Sequence, residues 1–488
     1  MKRLFSLLGW IFALAFLAVG LRNFEAGLSM DGPLYATIAR NLAQSQSGSW
    51  FRLTTSIPEF QPFFAEHPHL GFWVLAAVFE ILPAADWSAR IPSHLFYVLF
   101  LLLIYSWIAE LSRSRRAGAL AVVLIWAFPI LSNFFSNAYL DPQALVLGTF
   151  AVYALERAIR PQAAWPWALF SGLALAGSAL TKGFTVLGFG PAMAFLVVNR
   201  FAGLRREALS AAIVCLTSSL AILLIYALLL SRSEVPAFLD TYVTRQWSQR
   251  FAVSSDGLRL LDPFFYKELA RETHWLLVVI PVWLWIRKRS FPSGDAAKIP
   301  LILLASFVLM YVPAGRVGHQ YWLMLLPWAA WWLALALDSI LPASWSEVRF
   351  RKVTMTVSIV LVVVLQYFPF RVYRSRVPSL APEIAVTARR IGDEAAGARL
   401  WIEDLRVKDP FIRSGTWAWY TGLPVDYFSR ESLVSGTRVA TDQDIFAIEN
   451  FPEGARRRRL IAQLKERGLC VAGESKKALY WTQCRWAD

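Results

Sequence analysis

The sequence predicts a mostly helical, polytopic membrane protein. It reads as a transmembrane helix bundle of about eleven spans, a long first external loop bearing interfacial helices, and a small C-terminal external α/β domain. Two observations carry this reading. Hydrophobic residues make up 57% of the 488 positions and charged residues only 17%, more apolar than a soluble core requires. The basic residues behind the net charge of +15 gather in short clusters between apolar segments, which reports membrane topology and not nucleic acid. Attraction to anionic lipid headgroups is a secondary consequence.

Apolar segments of spanning length run over 4–21, 91–111, 117–135, 140–156, 167–181, 183–198, 208–230, 273–286, 299–313, 320–341 and 353–370. The first follows Lys2 and Arg3 and is not followed by a small-residue cleavage site, so it reads as a retained span. Segment 70–83 is also apolar, but roughly 14 residues suit an interfacial or re-entrant helix better than a crossing.

Charge decides that last point. If 70–83 does not cross, Arg113/Arg115/Arg116, Arg157/Arg160, Arg200/Arg205/Arg206, Arg287/Lys288/Arg289 and Arg349/Arg351/Lys352 all share the side of Lys2 and Arg3. If it did cross, every cluster would change sides, against the positive-inside rule. The favoured topology has a cytoplasmic N-terminus. It places loops 22–90, 136–139, 231–272 and 314–319 outside, with the turn at Lys182 and everything after 371. Domain boundaries follow at 1–371 for the membrane bundle and 372–488 for the external domain.

Residues 372–488 are more polar and carry short strand-like runs, such as Arg399-Leu-Trp-Ile-Glu and Val425-Asp-Tyr-Phe. Two further runs, around Cys470 and before Cys484, flank a polar turn and suit an antiparallel pair. In an oxidising compartment such a pair could bring the two sulfurs within bonding reach, though the register is open. The third cysteine, Cys215, lies in an apolar segment, and no CxxC spacing occurs.

With this topology the unusual polar residues collect on one membrane face. Asp31 opens the first external loop, and Glu66, His67 and His69 lie in its second half. Asp141 starts a span, Lys182 sits in a Thr-Lys-Gly turn, and Arg250 and Arg316 fall in later external loops. Acids and bases together suit a lipid-linked, phosphate-bearing substrate, with bases for the phosphate and an acid for chemistry on a hydroxyl. Each has a plainer alternative: Asp31 and Asp141 as helix N-caps before proline, Lys182 snorkelling to the interface, Arg316 as a loop charge, and the histidines as ordinary interfacial residues.

The order of these motifs resembles the C-type membrane glycosyltransferase superfamily, especially lipid A aminoarabinose transferases and protein O-mannosyltransferases. The family's Asp-Glu-x-x-Tyr-Ala-x-Ile-Ala-Arg is similar to Asp31-Gly-Pro-Leu-Tyr35-Ala-Thr-Ile-Ala-Arg40. Its Phe-Glu-Lys-Pro-Pro-Leu-x-Tyr-Trp is similar to Ala65-Glu66-His67-Pro68-His69-Leu70-Gly-Phe-Trp73. Its Arg-hydrophobic-Pro-Ser resembles 90–93. Leu-Asp-Pro and Thr-Lys-Gly-Phe stand intact at 140–142 and 181–184, Gln-Arg-Phe at 249–251, and Tyr-x-Leu-x-x-x-Pro at Tyr321–Pro327. Gly32 replaces a Glu, His67 a Lys, and Trp247 a His that helps the aminoarabinose enzymes hold a metal.

The resemblance implies an inverting glycosyltransferase that takes a sugar from a polyprenyl-phosphate donor. The acceptor is lipid A, another glycan or a protein. Asp31 is the implied base, with Glu66 and Asp141 beside the chemistry. Lys182, Arg250, Arg316 and His67 are implied for the donor phosphate, and Tyr35, His69 and Tyr321 for substrate. No cofactor follows with certainty; a divalent metal is open, with Glu66, His67 and His69 as the candidate set. The expected location is the bacterial inner membrane, with the C-terminal domain periplasmic, in contact with lipids and not with nucleic acid. The rival class is a transporter or flippase of a phosphate-bearing lipid, since intramembrane charges also mark transport pathways. Against it stands the lack of repeat symmetry in the sequence.

Overall fold

In a computed structural model of the chain, the described residues are 31–44, 49–55, 63–126, 128–160, 165–201, 205–233, 235–244, 294–311 and 321–341. Of the C-terminal part they are 399–403, 418–421, 425–428, 444–449, 469–474 and 478–483, with isolated positions at 28, 356, 388, 391, 423, 461–462 and 465–466. Helices run in the order α1 (Gly32–Ala43), α2 (Leu70–Ile81), α3 (Asp86–Leu111), α4 (Arg115–Trp126), α5 (Pro129–Phe135), α6 (Asp141–Ala158) and α7 (Pro166–Lys182). A 3-10 helix (Gly183–Phe189) follows, then α8 (Gly190–Phe201), α9 (Arg205–Ser231), α10 (Phe238–Val243), α11 (Asp295–Tyr311) and α12 (Tyr321–Ile340).

Among the described residues, four helical stretches are long and apolar enough to cross a membrane: Asp86–Leu111, Pro166–Asn199, Arg205–Ser231 and Trp322–Ser339. The chain is a mostly helical, multi-pass membrane protein. At 12 residues, α2 is too short to cross. The predicted spans 4–21 and 273–286, and nearly all of 353–370, lie outside the described residues.

The described residues form two compact units. One holds those within 65–74 and 90–372, the other those within 23–64, 75–89 and 373–488. The boundary read from sequence at 371/372 assigns 23–64 and 75–89 to the bundle, whereas the compact unit groups them with the C-terminal segment.

In the helical unit, α6 and α7 form a tight antiparallel pair. Ser171 Oγ donates to the Ala151 carbonyl at 2.7 Å, and Ser178 Oγ to the Ala144 carbonyl at 2.9 Å. The chain then turns back. Lys182 meets Asp141 at one end of the pair, but Phe189 already lies against Gly148, part of the way down α6. Gly183 makes the reversal with φ +60, a left-handed conformation that side chains disfavour.

Segment 117–135, one span by sequence, is interrupted. Phe128 is extended (φ −98, ψ 98) and Pro129 opens α5, because a proline ring clashes with a helical conformation of the residue before it. The core beneath is aromatic: Trp107 packs edge-on against Trp331 at 4.7 Å, and Tyr97 stacks on Phe135 at 4.6 Å.

Three arginines that read as topology markers are also paired. Glu110 binds both Arg157 and Arg160, and Arg116 binds Asp338 at 3.1 Å. These pairs tie α3 to the end of α6 and α4 to α12. Being about a third exposed or less, each adds at most about 1 kcal/mol.

In the other unit, ten of the twelve residues of α1 are buried. Its C-terminal part is a five-stranded mixed sheet of β1 (Arg399–Glu403), β2 (Val425–Phe428), β3 (Asp444–Glu449), β4 (Leu469–Glu474) and β5 (Ala478–Gln483), ordered β2-β1-β3-β5-β4. β1 runs parallel to both β2 and β3, while β5 is antiparallel to β3 and β4.

Candidate functional site

The helical unit gathers three of the residues picked out by sequence. Lys182, the last residue of α7, points its Nζ at Asp141 Oδ2, 2.9 Å away, and at His67 Nε2, 3.3 Å away. The side chains of Lys182 and Asp141 are each 7% exposed, and His67 is buried. An ammonium can only donate. Against a charged Lys182, His67 Nε2 is the acceptor of this contact. Neither plainer reading of these residues describes the geometry. Lys182 turns inward to an acid and does not reach outward, and Asp141 is the first helical residue, with Leu140 at the cap position and no side-chain cap bond.

An aromatic wall adjoins the turn. Phe184 stacks on Tyr242 at 5.4 Å, and Tyr242 on Phe238 at 6.1 Å. His69 lies 4.5 Å from Phe238, centroid to centroid, and its Nδ1 is 2.6 Å from the Tyr226 hydroxyl. A Cβ on Gly183 would overlap the Tyr242 hydroxyl, so glycine is required for both its φ and the close approach. His69 is thus buried among aromatics and held by Tyr226, a residue whose only sequence signal was a hydroxyl inside an apolar span.

The Arg-x-Pro-Ser motif organises the connection that precedes Asp141. Arg90 Nε donates to the Ser136 carbonyl at 3.0 Å, and Ser93 Oγ reaches the Tyr139 carbonyl at 3.5 Å. Both side chains are buried, and each gives its hydrogen bond to a backbone carbonyl of that connection.

Asp31 and Tyr35 belong to the other unit. Asp31 occupies the N-cap position of α1 but makes no side-chain cap bond. Its Oδ2 instead accepts from the Tyr35 hydroxyl, one helical turn on, at 3.4 Å. Tyr35 is buried edge-on to Phe64 at 6.5 Å.

Glu66 is half-buried beside His67 in sequence. Among the described residues no three His, Cys, Asp or Glu side chains converge as a metal site needs. His67 faces an ammonium, and His69 faces a tyrosine hydroxyl. The residues open for a metal thus do not fit one as arranged. Tyr321 begins α12. Arg250, Arg316 and Cys484 lie outside the described residues. Cys470 is on β4, opposite Thr482 of β5.

Residues 66–230 match the family model described as dolichyl-phosphate-mannose-protein mannosyltransferase. No curated protein sequence matches. Among solved structures, the chain resembles ArnT from Cupriavidus metallidurans bound to undecaprenyl phosphate. The TM-score is 0.68 at 16% identity, and the match covers 99% of each chain. The Archaeoglobus fulgidus oligosaccharyltransferase in complex with zinc and sulfate matches at TM-score 0.58 and 11% identity, over 98% of this chain and 73% of that one. AglB from the same organism, with an inhibitory peptide and a dolichol phosphate, matches at TM-score 0.52 and 11% identity, over 99% of this chain and 74% of that one. The resemblance to C-type membrane glycosyltransferases read from the motifs therefore holds at the level of fold.

Proposed function

We propose that the chain is an integral membrane glycosyltransferase that moves a sugar from a polyprenyl-phosphate donor to a glycan, lipid A or protein acceptor. The observation that carries this is the buried Asp141–Lys182–His67 cluster, in a fold shared with a protein solved bound to undecaprenyl phosphate. The family model over 66–230, which includes all three residues, supports it.

The proposed reaction is an inverting substitution. The acceptor hydroxyl oxygen bonds to the anomeric carbon as the bond from that carbon to the phosphate oxygen breaks. The polyprenyl phosphate leaves with the electron pair, and the acceptor proton passes to the Asp31 carboxylate. The leaving phosphate gains charge, which Lys182, Arg250 and Arg316 would stabilise as fixed donors. His67, in contact with Lys182, would help to line the phosphate region. Asp141 would hold Lys182 in place, and Glu66, Tyr35, His69 and Tyr321 would shape the substrate region. The proposed setting is the bacterial inner membrane, with reaction and C-terminal domain on the periplasmic side.

Purified protein in liposomes, given a radiolabelled polyprenyl-phosphate sugar and a candidate acceptor extract, tests this. Label appearing on the acceptor supports transfer. Label that crosses the bilayer while still on its lipid would move the chain to the rival class of flippases.

A further inference from the structure

A second buried cluster, in the unit that holds α1, lies around the helical turn 418–421. This turn is bound on both sides of Asp31. After it, Arg40 at the far end of α1 donates from Nη1 to the Trp419 carbonyl at 2.8 Å and from Nη2 to the Ala418 carbonyl at 3.0 Å. Its guanidinium also lies 5.2 Å from the centre of the Trp419 ring. Before it, the Leu28 N–H donates to the Tyr420 hydroxyl at 2.9 Å. That hydroxyl in turn donates to Asp86 Oδ2 at 3.2 Å, while the Trp419 indole N–H donates to Asp86 Oδ1 at 2.7 Å. Phe79 stacks on Trp419 at 5.8 Å.

The residues involved are separated by up to 392 positions in sequence, yet Leu28, Ala418, Trp419 and Tyr420 are all buried. A guanidinium fork on two successive carbonyls fixes orientation as well as distance, which a lysine cannot reproduce. Burial draws Arg40 down to about 10, still cationic at neutral pH. Asp31 and Arg40 lie about 14 Å apart along a straight helix, so a tilt of α1 at its Arg40 end would swing the Asp31 end. Asn41, whose side-chain amide donates to the Thr54 carbonyl at 3.2 Å, is a further tether at that end.

We infer that Arg40, Trp419 and Tyr420 are positioning residues: the C-terminal segment sets the aim of Asp31 by holding α1 and the chain just before it. The inference rests on the reading of Asp31 as the base. It makes the C-terminal domain part of the catalytic apparatus, whatever it contributes to acceptor recognition.

Arg40→Lys keeps the charge and gives up the fork; Tyr420→Phe keeps the ring and gives up one hydroxyl. With full-length protein in nanodiscs and rates normalised to folded protein, each should lower kcat about tenfold, since ångström-scale misplacement costs up to about a hundredfold. KM for donor and acceptor should stay within about twofold. Amide exchange in α1 should quicken in both variants. Unchanged kcat in both variants, a rise confined to the acceptor KM, or unchanged exchange in α1 would overturn the inference. Asp31→Asn in the same assay separates the two claims. If it is inactive while both positioning variants are fully active, the inference fails and the base reading stands. If Asp31→Asn is fully active, the base reading fails.

Discussion

Lys182 and Asp141 form a buried ion pair at 2.9 Å, across the end of the α6–α7 hairpin. Taking away one partner removes the opposite charge from a buried group, and breaking a buried pair in this way costs about 3–5 kcal/mol. Lys182→Met and Asp141→Asn should each destabilise the protein by an amount of that order, and the double variant by less than their sum. Thermal unfolding in detergent measures all three. Strict additivity would show that the two charges do not depend on each other.

Asp31→Asn keeps the shape of the residue and removes its basicity. Its side chain makes no cap bond, so stability should change little. The transfer rate should fall about a hundredfold, the usual scale for an acid–base residue. Initial rates on folded protein check it, and near-normal turnover would remove Asp31 from the chemistry.

Arg250→Ala and Lys182→Ala should impair use of the donor more than of the acceptor, because a cation beside a leaving phosphate acts on the donor half of the reaction. Steady-state kinetics with each substrate varied in turn decides the matter. A change limited to the acceptor KM would place both cations on the acceptor side.

Reporter fusions at Arg115 and at Ser435 should report opposite compartments, cytoplasmic and external. The expectation comes from the one-sided basic clusters. Matching compartments would overturn that topology.

Cys470 and Cys484 are expected to be bonded in protein taken directly from the membrane. The expectation comes from the two strand-like runs in the sequence, and a closed loop of about 15 residues would contribute roughly 3 kcal/mol, less if strained. The observed register sets Cys470 opposite Thr482, two positions before Cys484 in sequence, so the bond would have to be a diagonal one. Mass spectrometry of unreduced peptides shows either a linked pair or two alkylatable thiols, and the second result refutes the bond.

Much of the helical framework was legible because its signals are local. Runs of apolar residues mark α3, α6, α7, α9, α11 and α12, and a Thr-Lys-Gly sequence marks the reversal after α7, where glycine alone accepts the backbone at 183. The pairing of β4 with β5 was legible from two strand-like runs around a polar turn. The break at Phe128–Pro129 was present as a proline, but hydrophobicity alone joined the two sides into one span. The same motifs named the residues of the buried cluster but not its form. A Lys at 182 reads alike whether it snorkels, meets a phosphate or pairs with an acid, and only the antiparallel packing of α6 on α7 brings Asp141 to it. Distance in sequence hid the rest. Arg40 and Trp419 are 379 positions apart, and neither carries a pattern that specifies the other. Sequence by itself determined where helices form and which polar residues sit at their ends, because those depend on neighbours along the chain. Tertiary structure alone decided which of those residues meet, because burying a charge or a backbone carbonyl demands a partner that long-range packing must supply.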